Sequence, residues 1–113
     1  MGGRGSAGSR YTRSRVPRVT LSARAQSDLS RLHTHLVGKD INAAKRAVLA
    51  IREALLPLQH APLIGRPVED HGDLRELVID FGTSGYLAFY RFEPRLDAVT
   101  ILAIKHQRED DYK

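Results

Sequence analysis

Six basic or aromatic residues recur around the later part of the chain and have side chains suited to handling phosphate. In order they are Arg66, Arg75, Arg91, His106, Arg108 and Tyr112. Cleavage of RNA needs a base for the 2′-hydroxyl proton, an acid for the leaving oxygen and cations for the charged transition state. We therefore predict that, if the chain is a nuclease, its catalytic residues are His106, Tyr112 and Arg75. Contacts to a target or to phosphate are predicted at Arg66, Arg91 and Arg108.

A structural role for the same residues is the alternative, because arginine and histidine at strand ends are commonly solvated or hold a loop in place. Metal chemistry has less support. His33 and His35 are two residues apart and point to different helix faces, and the loop histidines His60 and His71 have no zinc-ligand spacing. There is no cysteine, and no phosphate-binding glycine motif. We predict neither a metal nor a cofactor.

Positive charge is concentrated at the start of the chain. The formal net charge is +5, and residues 1–18 contain five arginines and no acid, so the remainder has 13 basic and 13 acidic residues. We predict a disordered basic arm at residues 1–17 and a single folded domain at residues 18–113. The arm could attract nucleic acid through phosphate charge, or it could be only a solubilising leader.

Composition is that of a globular protein, with 42% hydrophobic and 27% charged residues among 113. No apolar run approaches the roughly 20 residues that span a bilayer. The first residues contain no hydrophobic segment typical of a secretory signal. These features favour a location in the cytoplasm and no membrane contact.

Two helices and four strands are predicted from the spacing of apolar residues. Residues 18–22 alternate as a strand at the edge of a sheet. Ser22 begins a helix that ends at Gly38 in the left-handed conformation, and Asp40 begins a second that ends near Pro57. Residues 59–72 form a loop, and strands follow at residues 74–80, 85–92 and 98–106, the last of them central in the sheet. The fold class is α+β, a helical hairpin packed on one face of a twisted antiparallel four-stranded sheet in the order β-α-α-β-β-β.

Five segments in this order resemble the RelE/ParE superfamily of toxins from type II toxin–antitoxin systems. They are ARAQSDLSRL at 23–32, APLIGRP at 61–67, LRELVI at 74–79, GYLAFYR at 85–91 and VTILAIKHQRED at 99–110. The Gly65-Arg66 loop and the strand that runs into His106-Gln107-Arg108 resemble ParE more closely than RelE. The resemblance implies the same β-α-α-β-β-β fold.

The resemblance also implies a function. ParE toxins poison DNA gyrase without catalysis of their own, whereas RelE toxins cut mRNA in the ribosomal A site. The lysine-rich active-site segments of RelE are absent, since the chain has lysine only at positions 39, 45, 105 and 113. We expect a ParE-like gyrase inhibitor of the plasmid-stabilisation type, with a RelE-like, ribosome-dependent mRNA endonuclease as the alternative.

Partners follow from the same resemblance. The implied partner is a cognate antitoxin that wraps the toxin with a helix and an extended segment, forming a toxin–antitoxin hetero-oligomer. The predicted edge strand at residues 18–22 could accept an added strand. A small nucleic-acid-binding module that uses its arginine-rich arm is a third possibility, of a different class.

Overall fold

A mixed sheet carries two helices on one face. The computed structural model describes residues 17–107, and within them the sheet has five strands in the order β1-β5-β4-β3-β2. The elements are β1 (Arg18–Leu21), α1 (Ala23–Val37), α2 (Ile41–Leu55), β2 (Arg66–Pro67), β3 (Leu74–Phe81), β4 (Ser84–Glu93) and β5 (Ala98–His106). This confirms the predicted α+β class and the helical hairpin. Residues 1–16 of the predicted basic arm lie outside the described residues.

The sheet corrects two details of the prediction. β1 pairs with β5 in parallel, so the sheet is not wholly antiparallel, and β2 adds a fifth strand of two residues inside the predicted loop. The direction of β1 is set by where the helical hairpin returns the chain, which alternation within residues 18–22 does not reveal. β1 lies at the edge and β5 in the interior of the sheet, as predicted, and the neighbours of β5 are β1 and β4.

Both helices begin at capping side chains. The Ser22 hydroxyl accepts a hydrogen bond from the Ala25 amide at 3.0 Å, and the Asp40 carboxylate accepts from the two amides that follow at positions 42 and 43. These bonds satisfy amides that have no partner within the helix. α2 ends at Leu55 and continues as a 3₁₀ turn, Leu56–Gln59, which contains Pro57. The predicted helix starts are therefore confirmed.

Gly38 does not adopt the predicted left-handed conformation. Its φ is −64°, in the right-handed helical region. The connection to α2 is so short that the amides of Lys39 and Asp40 both donate to the Leu36 carbonyl, at 2.9 and 2.7 Å. Those bonds satisfy the end of α1 without a left-handed residue.

The core lies between the helices and one face of the sheet. Its largest fully buried side chains are Tyr90, Ile51, Leu58, Ile101, Ile104 and Val99. On α2 the buried stripe runs through Ala44, Ala47, Ile51 and Leu55, whereas Ile41, which the periodicity placed on the same face, is 56% exposed. Two small residues on this stripe allow α2 to approach its neighbours closely.

A buried carboxylate joins α1 to the sheet beyond the end of β1. Asp28 is 2% exposed, and one of its oxygens accepts from the Ile104 amide of β5 at 2.9 Å. The other oxygen accepts from Arg31 at 2.8 Å. The Ser22 hydroxyl donates to the neighbouring Leu102 carbonyl at 3.1 Å. Side chains from α1 and from the residue that caps it therefore replace a strand partner along this part of β5.

Candidate functional site

The sheet face that points away from both described helices is rich in cations, and we call it the open face. Tyr86, Ala88 and Tyr90 of β4 point into the core. Because side chains alternate along a strand, Phe89 and Arg91 point to the open face. Register places Lys105 of β5 and Glu76 of β3 on this face as well. Arg66 of β2 joins them beside Glu76.

A shallow groove of about 540 Å³ lies on the open face. Its charged and aromatic lining comes from Arg24, His71, Phe89, Arg91 and Lys105. The Lys105 ammonium lies 5.7 Å from the centre of the Phe89 ring, a cation–π contact. A flat ring surrounded by cations is a surface on which a base can stack while its phosphate meets charge.

Most cations of the open face are held by neighbouring carboxylates. Arg91 contacts Asp73 and Arg66 contacts Glu76, each at 2.7 Å. Arg66 is the more exposed of the two arginines, with 70% of its side chain accessible. Exposed pairs of this kind contribute about 0–1 kcal/mol, so a phosphate or another carboxylate can displace them at small cost.

Arg75 lies on the opposite face and holds a loop. Its Nη1 atom donates to the carbonyl oxygens of Leu63 and Gly65, at 3.1 and 2.7 Å. Arg75 sits opposite Tyr90 in the β3–β4 ladder, on the side of the sheet that the helices cover. The structure therefore separates Arg75 from Arg66 and Arg91.

Tyr90 completes the attachment of that loop. Its hydroxyl donates to the Pro62 carbonyl and accepts from the Gly65 amide, each at 2.8 Å. Burial raises the pKa of Tyr90, partly offset by the Gly65 hydrogen bond and the charge of Arg75, which lower it. The phenol is therefore a neutral hydrogen-bonding group at physiological pH. We call the attached segment, residues 61–65, the clamped loop.

His106 lies at the far end of β5 from the clamped loop. Its ring packs edge-on against Tyr86 with centroids 5.4 Å apart, and its Nε2 atom lies 3.2 Å from the Ser84 hydroxyl oxygen. Across the sheet, His106 pairs with Tyr86 of β4, which pairs with Ile79 of β3. Ile79 is four residues along β3 from Arg75. Arg75 and His106 are therefore separated by four residues along the strands, about 13 Å, and by two strand spacings across the sheet, about 10 Å.

The four predicted site residues that the structure describes therefore do not meet at one place. Arg66 and Arg91 share the open face, whereas Arg75 and His106 occupy different ends of the sheet. Arg108 and Tyr112 lie outside the described residues, and the catalytic roles of His106, Tyr112 and Arg75 stay predictions. Sequence reasoning missed Arg24, Phe89 and Lys105. Side chains alternate along a strand, so Phe89 and Arg91 lie on the same face of β4. This alternation is the sequence signal from which the open face could have been predicted.

No group of three or more histidine, aspartate or glutamate side chains between positions 17 and 107 is arranged to hold a metal ion. Neither helix in the same range is long and apolar enough to cross a membrane.

Comparison with known proteins identifies relatives over most of the chain. Residues 19–111 match the family model described as the ParE toxin of the type II toxin–antitoxin system parDE. Toxin RelE3 of Caulobacter vibrioides is 38% identical over 92 residues, covering 80% of this chain and 95% of that toxin. Toxin RelE1 of the same organism is 41% identical over 73 residues, covering 65% of this chain and 76% of that toxin.

Solved structures share the fold at lower identity. A chain of the chromosomal ParDE system from P. aeruginosa superposes with a TM-score of 0.69 at 23% identity, covering 82% of this chain and 98% of that one. A chain of the RelBE2 toxin–antitoxin complex from Mycobacterium tuberculosis gives a TM-score of 0.55 at 22% identity, covering 80% and 96%. The family match and the 38% identity to Toxin RelE3 establish that the chain is a type II toxin and belongs to the RelE/ParE superfamily.

Proposed function

We propose that this toxin is ParE-like, inhibits DNA gyrase by binding it, and is neutralised by a cognate antitoxin in the cytoplasm. The observation that carries the proposal is the ParE family match across residues 19–111. The geometry supports it, since Arg75 and His106, two of the three residues expected to act together in a nuclease, lie in cross-strand rows four positions apart.

Binding without catalysis is also consistent with how the arginines are used. Arg75 donates to two loop carbonyls, and Arg66 and Arg91 are paired with carboxylates. A phosphoryl-transfer site needs cations, an acid and a base within reach of one phosphate. A protein-docking surface needs only a shaped patch with a few well-buried anchors.

The test is a gyrase assay with the purified toxin. We expect supercoiling of relaxed plasmid to fall and linear DNA to accumulate after the reaction is stopped with detergent and protease, as trapped cleavage complexes release broken DNA. Purified antitoxin should reverse both effects. Normal supercoiling at a tenfold molar excess of toxin would contradict the proposal.

A ribosome-dependent mRNA endonuclease is the second candidate, and the groove on the open face is the observation that favours it. Phe89 offers a stacking surface, and Lys105, Arg91 and Arg24 surround it with positive charge. Under this mechanism Lys105→Ala and Phe89→Ala should each slow codon-placed mRNA cleavage on purified ribosomes. His106→Ala and Tyr112→Phe should abolish it if these residues transfer protons. Intact mRNA on toxin-treated ribosomes would exclude this candidate.

The antitoxin is proposed to use the exposed edge of β1. The backbone amides of Arg18 and Ser22 donate hydrogen bonds toward β5, to the carbonyl oxygens of Asp97 and Ile101. Amides alternate in direction along a strand, so those of Val19 and Leu21 point away from the sheet. An extended antitoxin segment can pair with this edge and add a strand.

A further inference from the structure

We infer that the clamped loop and the adjoining end of the sheet form the surface that grips the toxin's protein target, through an aliphatic side chain of that target flanked by a carboxylate. The inference rests on the proposed function, because the target is taken to be gyrase. It adds the residues that make the contact, the chemistry that they recognise and the side chains that hold them in position.

The clamped loop is fixed from both ends by side chains of two strands. Tyr90 of β4 forms hydrogen bonds with Pro62 and Gly65. Arg75 of β3 donates hydrogen bonds to Leu63 and Gly65. These four hydrogen bonds, all between 2.7 and 3.1 Å, tie a surface segment to the buried side of the sheet. A loop held in this way loses little conformational entropy when it binds a partner.

The same loop exposes aliphatic side chains. Leu63 is 56% exposed and Ile64 is 50% exposed, although both lie between Pro62 and Gly65, the two residues that Tyr90 holds. Beside Leu63 the surface sinks into a cleft of about 310 Å³, with apolar walls from Leu63, Pro67, Leu74, Phe92 and Pro94. Rigid, exposed aliphatic groups beside an apolar cleft are typical of the central anchors of a protein–protein interface.

One positive charge lines the cleft without a carboxylate of its own. Arg75 makes no ion pair within residues 17–107, and its described bonds go from Nη1 to carbonyl oxygens. Asp73 also lines the cleft, but its carboxylate forms an ion pair with Arg91 at 2.7 Å rather than with Arg75. A carboxylate on the partner would supply the negative charge that Arg75 lacks. Its hydrogen bonds to the guanidinium would orient the partner as well as add to the affinity.

The aliphatic walls identify the partner as a protein. Nucleic acid offers phosphates and base faces, which are recognised by several cations grouped around an aromatic ring, as Arg24, Arg91 and Lys105 are around Phe89 on the open face. The cleft has a single arginine, Arg75, and its walls are mostly aliphatic. Leu63, Ile64 and Pro94 gain most from burial against other apolar side chains, which a protein surface supplies. The clamped loop and the open face are therefore two surfaces with different chemistry.

The test compares gyrase binding by variants of the full-length toxin. The double variant L63S/I64S should bind immobilised gyrase at least about tenfold more weakly than the wild type. Leu49 on α2 is equally exposed, at 56%, and L49S is the matched control that should change the affinity by less than about twofold. Affinity for the purified antitoxin is measured in parallel and should be unchanged in both variants.

A charge variant tests the role assigned to Arg75. Gln in its place can still donate to a loop carbonyl but has no charge, so Arg75→Gln should weaken gyrase binding about tenfold and reduce its dependence on salt. A purely structural role would lower the melting temperature and leave the salt dependence as it was. In Tyr90→Phe the charge remains, so this variant should keep the salt dependence.

The outcomes separate this inference from the function on which it rests. If the wild type does not bind gyrase, both the proposed function and the inference fail. If the wild type binds gyrase and L63S/I64S binds equally well, the inference alone is overturned. An equal loss of antitoxin affinity in L63S/I64S would assign the surface to the antitoxin and would also overturn it.

Discussion

The hydroxyl of Tyr90 accepts a hydrogen bond from the backbone amide of Gly65 and occupies the space that a side chain at position 65 would need. The two atoms are 2.8 Å apart. A Cβ atom at position 65 would lie 2.7 Å from both Cε1 and the hydroxyl oxygen of Tyr90, and 2.8 Å from the Glu76 carbonyl oxygen. Glycine is therefore required here for a close approach between loop and strand.

Gly65→Ala should consequently destabilise the fold by about 1–3 kcal/mol, because backbone as well as side chain must move to admit one methyl group. Urea unfolding of the two proteins measures the difference. Gly38→Ala is the matched control, since a Cβ there meets nothing closer than 3.6 Å and φ is −64°. We expect Gly38→Ala to be neutral or slightly stabilising. Equal stability of Gly65→Ala and wild type would contradict the close packing described.

The features that the sequence predicted well are those set by neighbouring residues. Ser22 and Asp40 begin helices because their side chains bond amides two or three positions on. An almost continuous run of apolar residues located β5 at its observed bounds, Ala98–His106. Contacts between distant segments were not accessible in this way. The parallel pairing of β1 with β5 and the two-residue strand β2 depend on where the rest of the chain folds.

Arg75 and His106, both predicted to be catalytic if the chain is a nuclease, are separated for a reason that topology alone could have supplied. In an antiparallel meander the first and third strands run in the same direction. Arg75 is near the start of β3 and His106 is at the end of β5, so they must lie at opposite ends of the sheet. Alternation correctly separates Tyr90 from Arg91, but it does not say which face the helices cover.

Alkaline pH should destabilise the protein through its buried phenols. Burial raises the pKa of Tyr86 and Tyr90 above the ordinary value of 10.0. Above about pH 10 the unfolded chain therefore releases protons that the folded chain retains, and stability falls as pH rises. Tyr90→Phe removes one of these groups, so its stability should fall less steeply between about pH 9 and about pH 11.

The same substitution has a separate cost at neutral pH. Without the hydroxyl, the Gly65 amide and the Pro62 carbonyl lose their partner, which should destabilise Tyr90→Phe by about 1–3 kcal/mol. Urea midpoints measured at each pH for both proteins separate the constant difference from the slope. Parallel stability curves for the two proteins would show that Tyr90 does not titrate as described.

Asp28 should matter more to stability than the exposed arginine beside it. Asp28→Ala leaves the Ile104 amide of β5 without its acceptor and opens a space in a position that is 2% exposed. We expect a loss of about 1–3 kcal/mol in the free energy of unfolding. Arg31→Ala, whose side chain is 67% exposed, should cost less than about 1 kcal/mol. A larger loss in Arg31→Ala would mean that the ion pair, rather than the bond to β5, holds α1 in place.

Proline at Val19 should weaken antitoxin binding without unfolding the toxin. The Val19 amide points away from β5, since the amides of Arg18 and Ser22 bond Asp97 and Ile101, so Val19→Pro removes a donor only from the outer edge of β1. Loss of one strand-pairing hydrogen bond should weaken antitoxin affinity about three- to tenfold, measured by calorimetry. In Thr20→Pro the missing amide faces β5, so that variant should lower the melting temperature instead. Unchanged affinity in Val19→Pro would place the antitoxin segment away from this edge.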